Sequence, residues 1–332
     1  MNRDGHPLVS IGVPVFNGEA GLARSLDSLL NQDYPNLEIV VSDNGSTDLT
    51  WQIAERYSRI DPRVKAFRAD RNRGAPWNFN RVFELSSGEY FAWAAHDDER
   101  DPSFVSACVE QLQQEPGAVL CSGYSAVSID PSNEILYVAH CDSLVGLPDV
   151  TVRYREALRR LPPTAIYGLY RSSAMRKTRL FEPVIATDIA FVQELVIYGT
   201  IVQVPKVLFR YRARKTWNTI EQDARMFLGT SGKPWWYVPF VMLFLNKCSR
   251  LVLADIPLHL KLRLGTVLVV DQMAEMGVKI MLKMVGAVCP RAQREQVGRL
   301  LYGRWLANPN LVVNNEELFF ERVCKPQLGW WR

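Results

Sequence analysis

Along the first hundred residues, short apolar runs alternate with apolar positions at helical spacing, the pattern of βαβ units built on a parallel sheet. LVSIGVPV (Leu8 to Val15) reads as a buried strand. Leu22, Leu26, Leu29 and Leu30 then recur at helical spacing, and LEIVVSD (Leu37 to Asp43) returns to strand. A second helix carries Ile53, Ala54, Tyr57 and Ile60. VKAFRA (Val64 to Ala69) makes a third strand, Trp77 to Leu85 a third helix, and EYFAWAA (Glu89 to Ala95) a fourth strand. Asp101 before Pro102 opens another helix, the acid as N-cap and the proline at N1.

From Ala118 the pattern loosens, with AVLCSGYSAV and EILYVAH as strands. Residues 188 to 198 (DIAFVQELVIY) form a mostly apolar helix closed by Gly199, and VQVPKVLFRYR follows as a short strand pair. After about Thr216 the strands stop and the chain reads helical. The expected organisation is therefore a Rossmann-like α/β domain over residues 1–215, with a mostly parallel sheet flanked by helices, and a helical, basic, amphipathic region over residues 216–332.

Composition changes this picture little, with 48% apolar and 22% charged residues in 332, but the placement of charge does. Residues 233–304 hold eleven Lys or Arg against four Asp or Glu, so of the chain's +4 this segment carries +7 and the remainder about −3. Six scattered cysteines, with no C-x-x-C pair and no signal peptide ahead of them, fit a reducing cytoplasmic location.

In an open parallel sheet, ligands bind at the carboxyl ends of the strands, and here those ends are polar. Strand one runs into Pro14, Phe16, Asn17 and Glu19, strand two into Asp43, Asn44, Ser46 and Asp48, strand three into Asp70, Arg71 and Asn72, and strand four into His96, Asp97, Asp98 and Glu99. No G-x-G-x-x-G follows strand one and there is no Walker lysine loop, which counts against a dinucleotide enzyme and a P-loop enzyme. Adjacent carboxylates in a crevice repel unless a cation settles them, and Mg²⁺ or Mn²⁺ completed by substrate phosphates is the usual solution. Asp101 already caps the next helix, so capping does not account for Asp97 and Asp98. Ser46 and Asp48 suit a cap. Asp43, ending an apolar strand, suits acceptance from a base N–H, with Arg71 one strand over as a donor.

These residues resemble the family 2 glycosyltransferases, whose catalytic domain has the GT-A fold. The likeness runs through PLVSIGVPVFNGEAGLARSLDSLLNQDYPNLEIVVSDNGSTD, RNRGAPWNFNRV and YFAWAAHDDERDP, and covers about the first 215 residues. It implies an inverting transfer from a nucleotide-diphosphate sugar to a hydroxyl acceptor, in surface polysaccharide or glycolipid assembly. Asp43 and Arg71 would hold the nucleobase, Asp97 the ribose and Asp98 the metal. Pro14, Phe16, Asn17, Glu19 and Asn44 would line the nucleotide sugar, and Asp188 matches the position of the catalytic base. Many members carry a further acid where this chain has Ala95, which leaves the metal fewer protein ligands. The family's histidine after a Tyr-Arg pair is also missing from Tyr211-Arg212-Ala213-Arg214, so Arg212 or Arg214 is expected to meet the diphosphate instead.

Rival readings are a sugar nucleotidyltransferase, which would open with a basic glycine-rich loop, and a non-catalytic carbohydrate-binding or scaffold protein on the same fold. The loop from Val15 to Gly21 has no Lys or Arg. Glu194, the other acid near Asp188, lies on a different helical face among apolar residues, where pairing with a buried arginine is its expected role. No nucleic-acid partner is indicated; the partners expected are the donor and a glycan or lipid-linked acceptor. Val238 to Leu245 is too short to span a bilayer. Val269, Met273, Met276, Ile280 and Met284 share one helical face, read either as a bundle core or as a peripheral contact with an anionic membrane, at the inner face of the plasma membrane.

Overall fold

A computed structural model describes residues 5–129, 134–213, 219–229, 232–288 and 311–313. Four parallel strands form its spine in the order β3 (Val64–Arg68), β2 (Leu37–Asp43), β1 (Val9–Val15) and β4 (Tyr90–Trp93). Beyond β4 the sheet turns mixed. β8 (Leu169–Arg171) lies antiparallel to β4, β6 (Ala118–Ile129) antiparallel to β8, and β7 (Ile135–Ala139) antiparallel to β6. β9 (Thr200–Ala213) runs parallel to β6 and also pairs antiparallel with the two-residue β5 (Glu99–Arg100).

Strand periodicity sends alternate side chains to two separate cores. Val9, Ile11, Val13 of β1 and Ile39, Val41 of β2 face α1 (Leu22–Leu30), α2 (Thr50–Ile60) and α4 (Phe104–Gln114). Val40, Phe91 and Trp93 face the other way, toward α3 (Ala75–Glu84), α5 (Val150–Arg160) and α7 (Thr187–Leu195). Trp93 centres that second core. Its ring meets those of Phe91, Phe181, Phe191 and Tyr170 at 5.0 to 5.6 Å, and its Nε1 donates to the Phe79 carbonyl at 2.9 Å. A four-residue helix, α6 (Ser172–Met175), follows β8.

Two expectations about strands are corrected. The strand pair read over VQVPKVLFRYR is one fourteen-residue strand, β9, whose register against β6 shifts near Gly123 and Tyr124. The shifts let it turn from β6 toward β5 without a break. Strands also do not stop at Thr216, because β10 (Leu311–Val313) pairs antiparallel with β7 at the sheet edge. A three-residue strand bears no periodic signal.

The helices after residue 216 are α8 (Ile220–Leu228), α9 (Pro239–Leu253) and α10 (Leu258–Val288). Leu251 of α9 and Leu264, Val267 and Leu268 of α10 belong to the same cluster as Phe191 and Val192 of α7. The tie between α9 and α7 is polar as well. Arg250, almost wholly buried, donates from Nη1 to Glu194 Oε2 at 2.6 Å, from Nε to Asn246 Oδ1 at 2.8 Å and from Nη2 to the Leu180 carbonyl at 2.8 Å. Glu194 is thus paired with a buried arginine, as its sequence setting indicates. Glu194→Ala removes the nearer of the two carboxylates beside that guanidinium, leaving Glu182 Oε2 at 3.4 Å from Nη2, and is expected to cost about 3 kcal/mol of stability, read by denaturant unfolding. A loss under 1 kcal/mol would mean the pair does not anchor α9.

Candidate active site

The loops at the carboxyl ends of the four parallel strands interlock, which fixes where their polar groups point. Asn17 adopts a left-handed backbone (φ 51°), rare for a residue other than glycine, and its Oδ1 accepts from Thr47 N at 3.0 Å while its own N donates to Ser46 Oγ at 2.9 Å. Glu19 Oε2 accepts from Leu49 N at 2.9 Å, at the start of α2. Asp48 Oδ1 accepts from Thr50 N at 3.0 Å. Asn44 is committed on both sides of its amide: Nδ2 donates to Asn72 Oδ1 and the Gly74 carbonyl, and Oδ1 accepts from Arg73 N. Gly45, at φ +74°, lies so close to Arg71 that an added Cβ would stand 2.6 Å from the Arg71 carbonyl carbon. Asn17, Glu19 and Asn44 therefore shape the rim through protein contacts, whereas Phe16 and Arg71 are exposed on it and Pro14 is buried at the end of β1.

Asp43 is fully buried, with Oδ1 accepting from Ser46 N at 2.9 Å. Arg68 lies across its other oxygen, Nε 3.2 Å from Oδ2 but off the hydrogen-bonding direction, so Oδ2 keeps no directed partner. Arg68 also donates to the Ser46 carbonyl and lies over the Trp51 ring. Sequence reasoning missed this arginine because its strand position signals only an edge residue.

The turn after β4 brings the acids together. Gly21 abuts it, with the Asp97 Cα and the His96 carbonyl oxygen each 2.9 Å from where a Cβ would stand. Arg24 of α1 donates to the Asp97 carbonyl at 3.0 Å and pairs with Glu99 at 3.0 Å. Asp97 is half-buried. Asp98 is buried, with Oδ1 accepting from Arg212 N at 2.9 Å, whereas Oδ2 has no partner. Burial first, then the charge of Asp97, pushes the Asp98 carboxyl up to about 7, against the pull of Arg212 N–H and the nearby Arg100 and Arg212 charges. An orphaned buried oxygen beside a second carboxylate is a position a divalent cation fits. Among the described residues no group of three or more His, Cys, Asp or Glu converges on one point, so such an ion would take its other ligands from phosphate and water.

Strand β9 delivers Arg212 to this turn. Its Nη2 donates to Glu99 Oε1 at 2.8 Å, which places it within the acid cluster; Arg214 falls outside the described residues. Arg210 and Arg212 share one face of β9 and line a cleft of about 290 Å³ with Glu99, Ala126, Ser128 and Ile135. Phe209 and Tyr211 point to the opposite face, where the Tyr167 ring meets them at 4.8 and 6.4 Å. Burial pushes the Tyr167 phenol well above its ordinary range, and the charges of Asp98, Asp188 and Asp97 add to that push. Tyr167 is therefore near enough to both the acid turn and Asp188 for their charges to act on its phenol. The sequence gives no periodic or motif signal for it.

Beneath Asp98, buried Arg100 donates to the Tyr167 and Trp93 carbonyls and sits over the rings of Phe104 and Phe209 at 4.1 and 4.6 Å. Desolvation lowers its ionisation to about 10, which leaves it a cation behind the acid pair at neutral pH.

Asp188 is half-buried in the first turn of α7. Desolvation raises its carboxyl, and the N–H groups of Ile189 and Asp188 itself pull it back. The preceding Ala186 is held at φ 63°, a strained value for alanine. Its neighbours are clamped: Ile185 N donates to Tyr237 Oη at 2.9 Å, Glu182 N donates to Thr187 Oγ1 at 2.9 Å, and Arg250 grips Leu180. Strain held this way concentrates at functional loops.

Comparison with known proteins agrees with this fold. The TarS protein of S. aureus, solved with UDP-GlcNAc, superposes with a TM-score of 0.58 at 17% identity, over 89% of this chain and 80% of that one. A mannosyltransferase of Pyrobaculum calidifontis, solved with GDP-Man and Mn²⁺, gives 0.52 at 16%, over 91% and 82%. At such identities the likeness defines the fold, which is GT-A. The model of glycosyl transferase family 2 matches residues 10–183, just over half of the chain, and the protein belongs to that family. An uncharacterized glycosyltransferase of Haemophilus influenzae is 35% identical over 124 residues, 37% of this chain and 38% of the relative. A putative teichuronic acid biosynthesis glycosyltransferase of Bacillus subtilis, TuaG, is 30% identical over 124 residues, 37% of this chain and 49% of that protein. The chain thus spans less than half the length of these relatives in the aligned part.

Proposed function

We propose that the protein is an inverting glycosyltransferase that moves a sugar from a nucleotide-diphosphate donor to a hydroxyl of a glycan or lipid-linked acceptor, in polysaccharide or glycolipid assembly. The observation that carries this reading is the buried Asp98 oxygen that has no partner, beside a second carboxylate, Asp97, in the turn at the carboxyl end of β4, with half-buried Asp188 at the start of α7. Asp43 accepts from the base once Arg68 moves aside, and Arg71 on the rim donates to it. Asp97 takes the ribose hydroxyls. Arg212, already at the acid turn, meets the diphosphate.

Asp98 would hold Mg²⁺ or Mn²⁺, whose charge stabilises the departing diphosphate. Asp188 accepts the proton of the acceptor hydroxyl as that oxygen attacks the anomeric carbon and the bond to the diphosphate breaks. Desolvation raises its proton affinity, which makes it a stronger base than an exposed carboxylate. One base on the far side of the sugar from the leaving group gives a single displacement, hence inversion. The test is the anomeric configuration of the first product, read by NMR before mutarotation. A donor of α configuration is expected to give a β product; a retained configuration would sink the single-displacement reading and the role of Asp188 with it.

A further inference from the structure

Helix α10 has two apolar faces, and among the described residues only one of them is covered. At about 100° per residue, Leu264, Val267 and Leu268 fall on one side and are buried against the α7 cluster. Leu258, Leu262, Val269, Met273 and Met276 fall within about 60° of one another on the opposite side. All five are exposed, Leu258 by 70%, Leu262 by 66% and Met273 by 60%. The stripe is roughly 27 Å long at 1.5 Å per residue. The Val269–Met273–Met276 face is thus not a bundle core among the described residues; Ile280 and Met284 have no described side chains. Helix α9 repeats the arrangement, with Val241, Leu245 and Val252 exposed within about 40° while Arg250 and Leu251 turn inward. Trp235, 91% exposed, and Trp236 stand just before it.

We propose that this surface lies on an anionic lipid bilayer, with the α10 stripe and the tryptophan pair in the interface. Three features select lipid over other occupants. Lys261 and Arg263 flank the stripe beside His259, and the sequence from 233 to 304 is cationic at +7, which favours an anionic surface as the occupant. Tryptophans at the margin of an apolar face are the usual anchors at headgroup level. No described helix is long and apolar enough to cross a membrane, so the contact is parallel to the surface.

The elements that carry the surface also touch the loop before Asp188. Tyr237, next to the tryptophan pair, accepts from Ile185 N, and Arg250, on the inward face of α9, holds Leu180 and Glu194. The loop before Asp188 is therefore one helix away from the lipid. This deepens the proposed function by placing the acceptor side of the site at a lipid surface, and rests on that function for the role of Asp188 alone.

The test uses the full chain and sedimentation with vesicles, a readout that needs no turnover. At low salt the protein is expected to pellet with vesicles containing phosphatidylglycerol, less with phosphatidylcholine alone, and less as salt rises. Leu262→Gln with Met273→Gln, both on the exposed side, is expected to weaken binding by about tenfold or more without lowering the unfolding temperature. Wild type that stays in the supernatant overturns the proposal, as does a double variant that pellets like wild type. So does a wild-type dimer in sedimentation velocity that the double substitution converts to monomer, since a second copy then covers the stripe. Vesicle binding that holds while no nucleotide sugar is turned over would keep the surface and remove the reaction.

Discussion

Replacing Asp188 by Asn is expected to lower sugar transfer by about 10²- to 10⁴-fold while leaving donor binding within a few-fold of wild type. The substitution keeps the size of the side chain and removes its capacity to take a proton. The groups that hold the donor in this reading lie on other elements, since Asp43 ends β2, Asp97 and Asp98 lie in the turn between β4 and β5, and Asp188 is in the first turn of α7. The fold should tolerate it, because the clamps on this loop come from Tyr237, Thr187 and Arg250 rather than from the Asp188 carboxylate. Its raised pKa sets the pH dependence. The base works only when ionised, so kcat in wild type is expected to fall as pH drops through a point above the ordinary carboxylate range. Asp188→Asn that transfers at the wild-type rate, with transfer lost instead in Glu194→Gln at unchanged stability, would move the base to Glu194.

The second large effect is at Asp98. Without a cation its carboxyl titrates at about 7, well above an unfolded value of about 3.9, so the folded state prefers it protonated. The sign follows directly. The stability that this preference gives is full below the unfolded pKa and is lost as pH rises through 7, so metal-free Asp98→Asn is expected to unfold at a higher temperature than wild type at pH 8. Activity moves the opposite way, to a loss of about 10²-fold or more, because the amide cannot hold the cation that stabilises the diphosphate. Metal affinity in wild type is expected to weaken about tenfold per pH unit below 7, where a proton must leave first, and to level off above it. A group that is costly to the fold and needed for turnover is the usual mark of a functional position.

Much of this was legible in the sequence wherever the signal is local. The four parallel strands and their polar ends follow from period and turn chemistry alone, whereas the cap read at Asp101 and Pro102 is corrected: α4 starts at Phe104 with Ser103 in the cap position, and Asp101 Oδ1 accepts from Ser103 N at 3.0 Å in the turn before it. What was not legible depends on pairings between distant segments. Arg212 reaches Asp98 because β9 changes register against β6 and then pairs with β5, and no local pattern encodes either event. Tyr167 lies in a short 3₁₀ turn before β8 and becomes part of the site only when that turn packs against Phe209 and Tyr211. The strain at Ala186 is invisible too, since alanine gives no hint of a left-handed backbone. On α10 the sequence showed an apolar face but not which side the core would use, because both sides are apolar.

The central claim is that a divalent cation held by Asp98 supports turnover of a nucleotide sugar. The most direct measurement is the release of nucleotide diphosphate from a panel of UDP-, GDP- and dTDP-sugars by purified full-length protein, with Mn²⁺ or Mg²⁺ present, after excess EDTA, and after the metal is restored. The account predicts release from at least one donor with metal, loss in EDTA, recovery on restoration, and no recovery in Asp98→Asn. Undiminished turnover in EDTA, or a fully active Asp98→Asn, would contradict it.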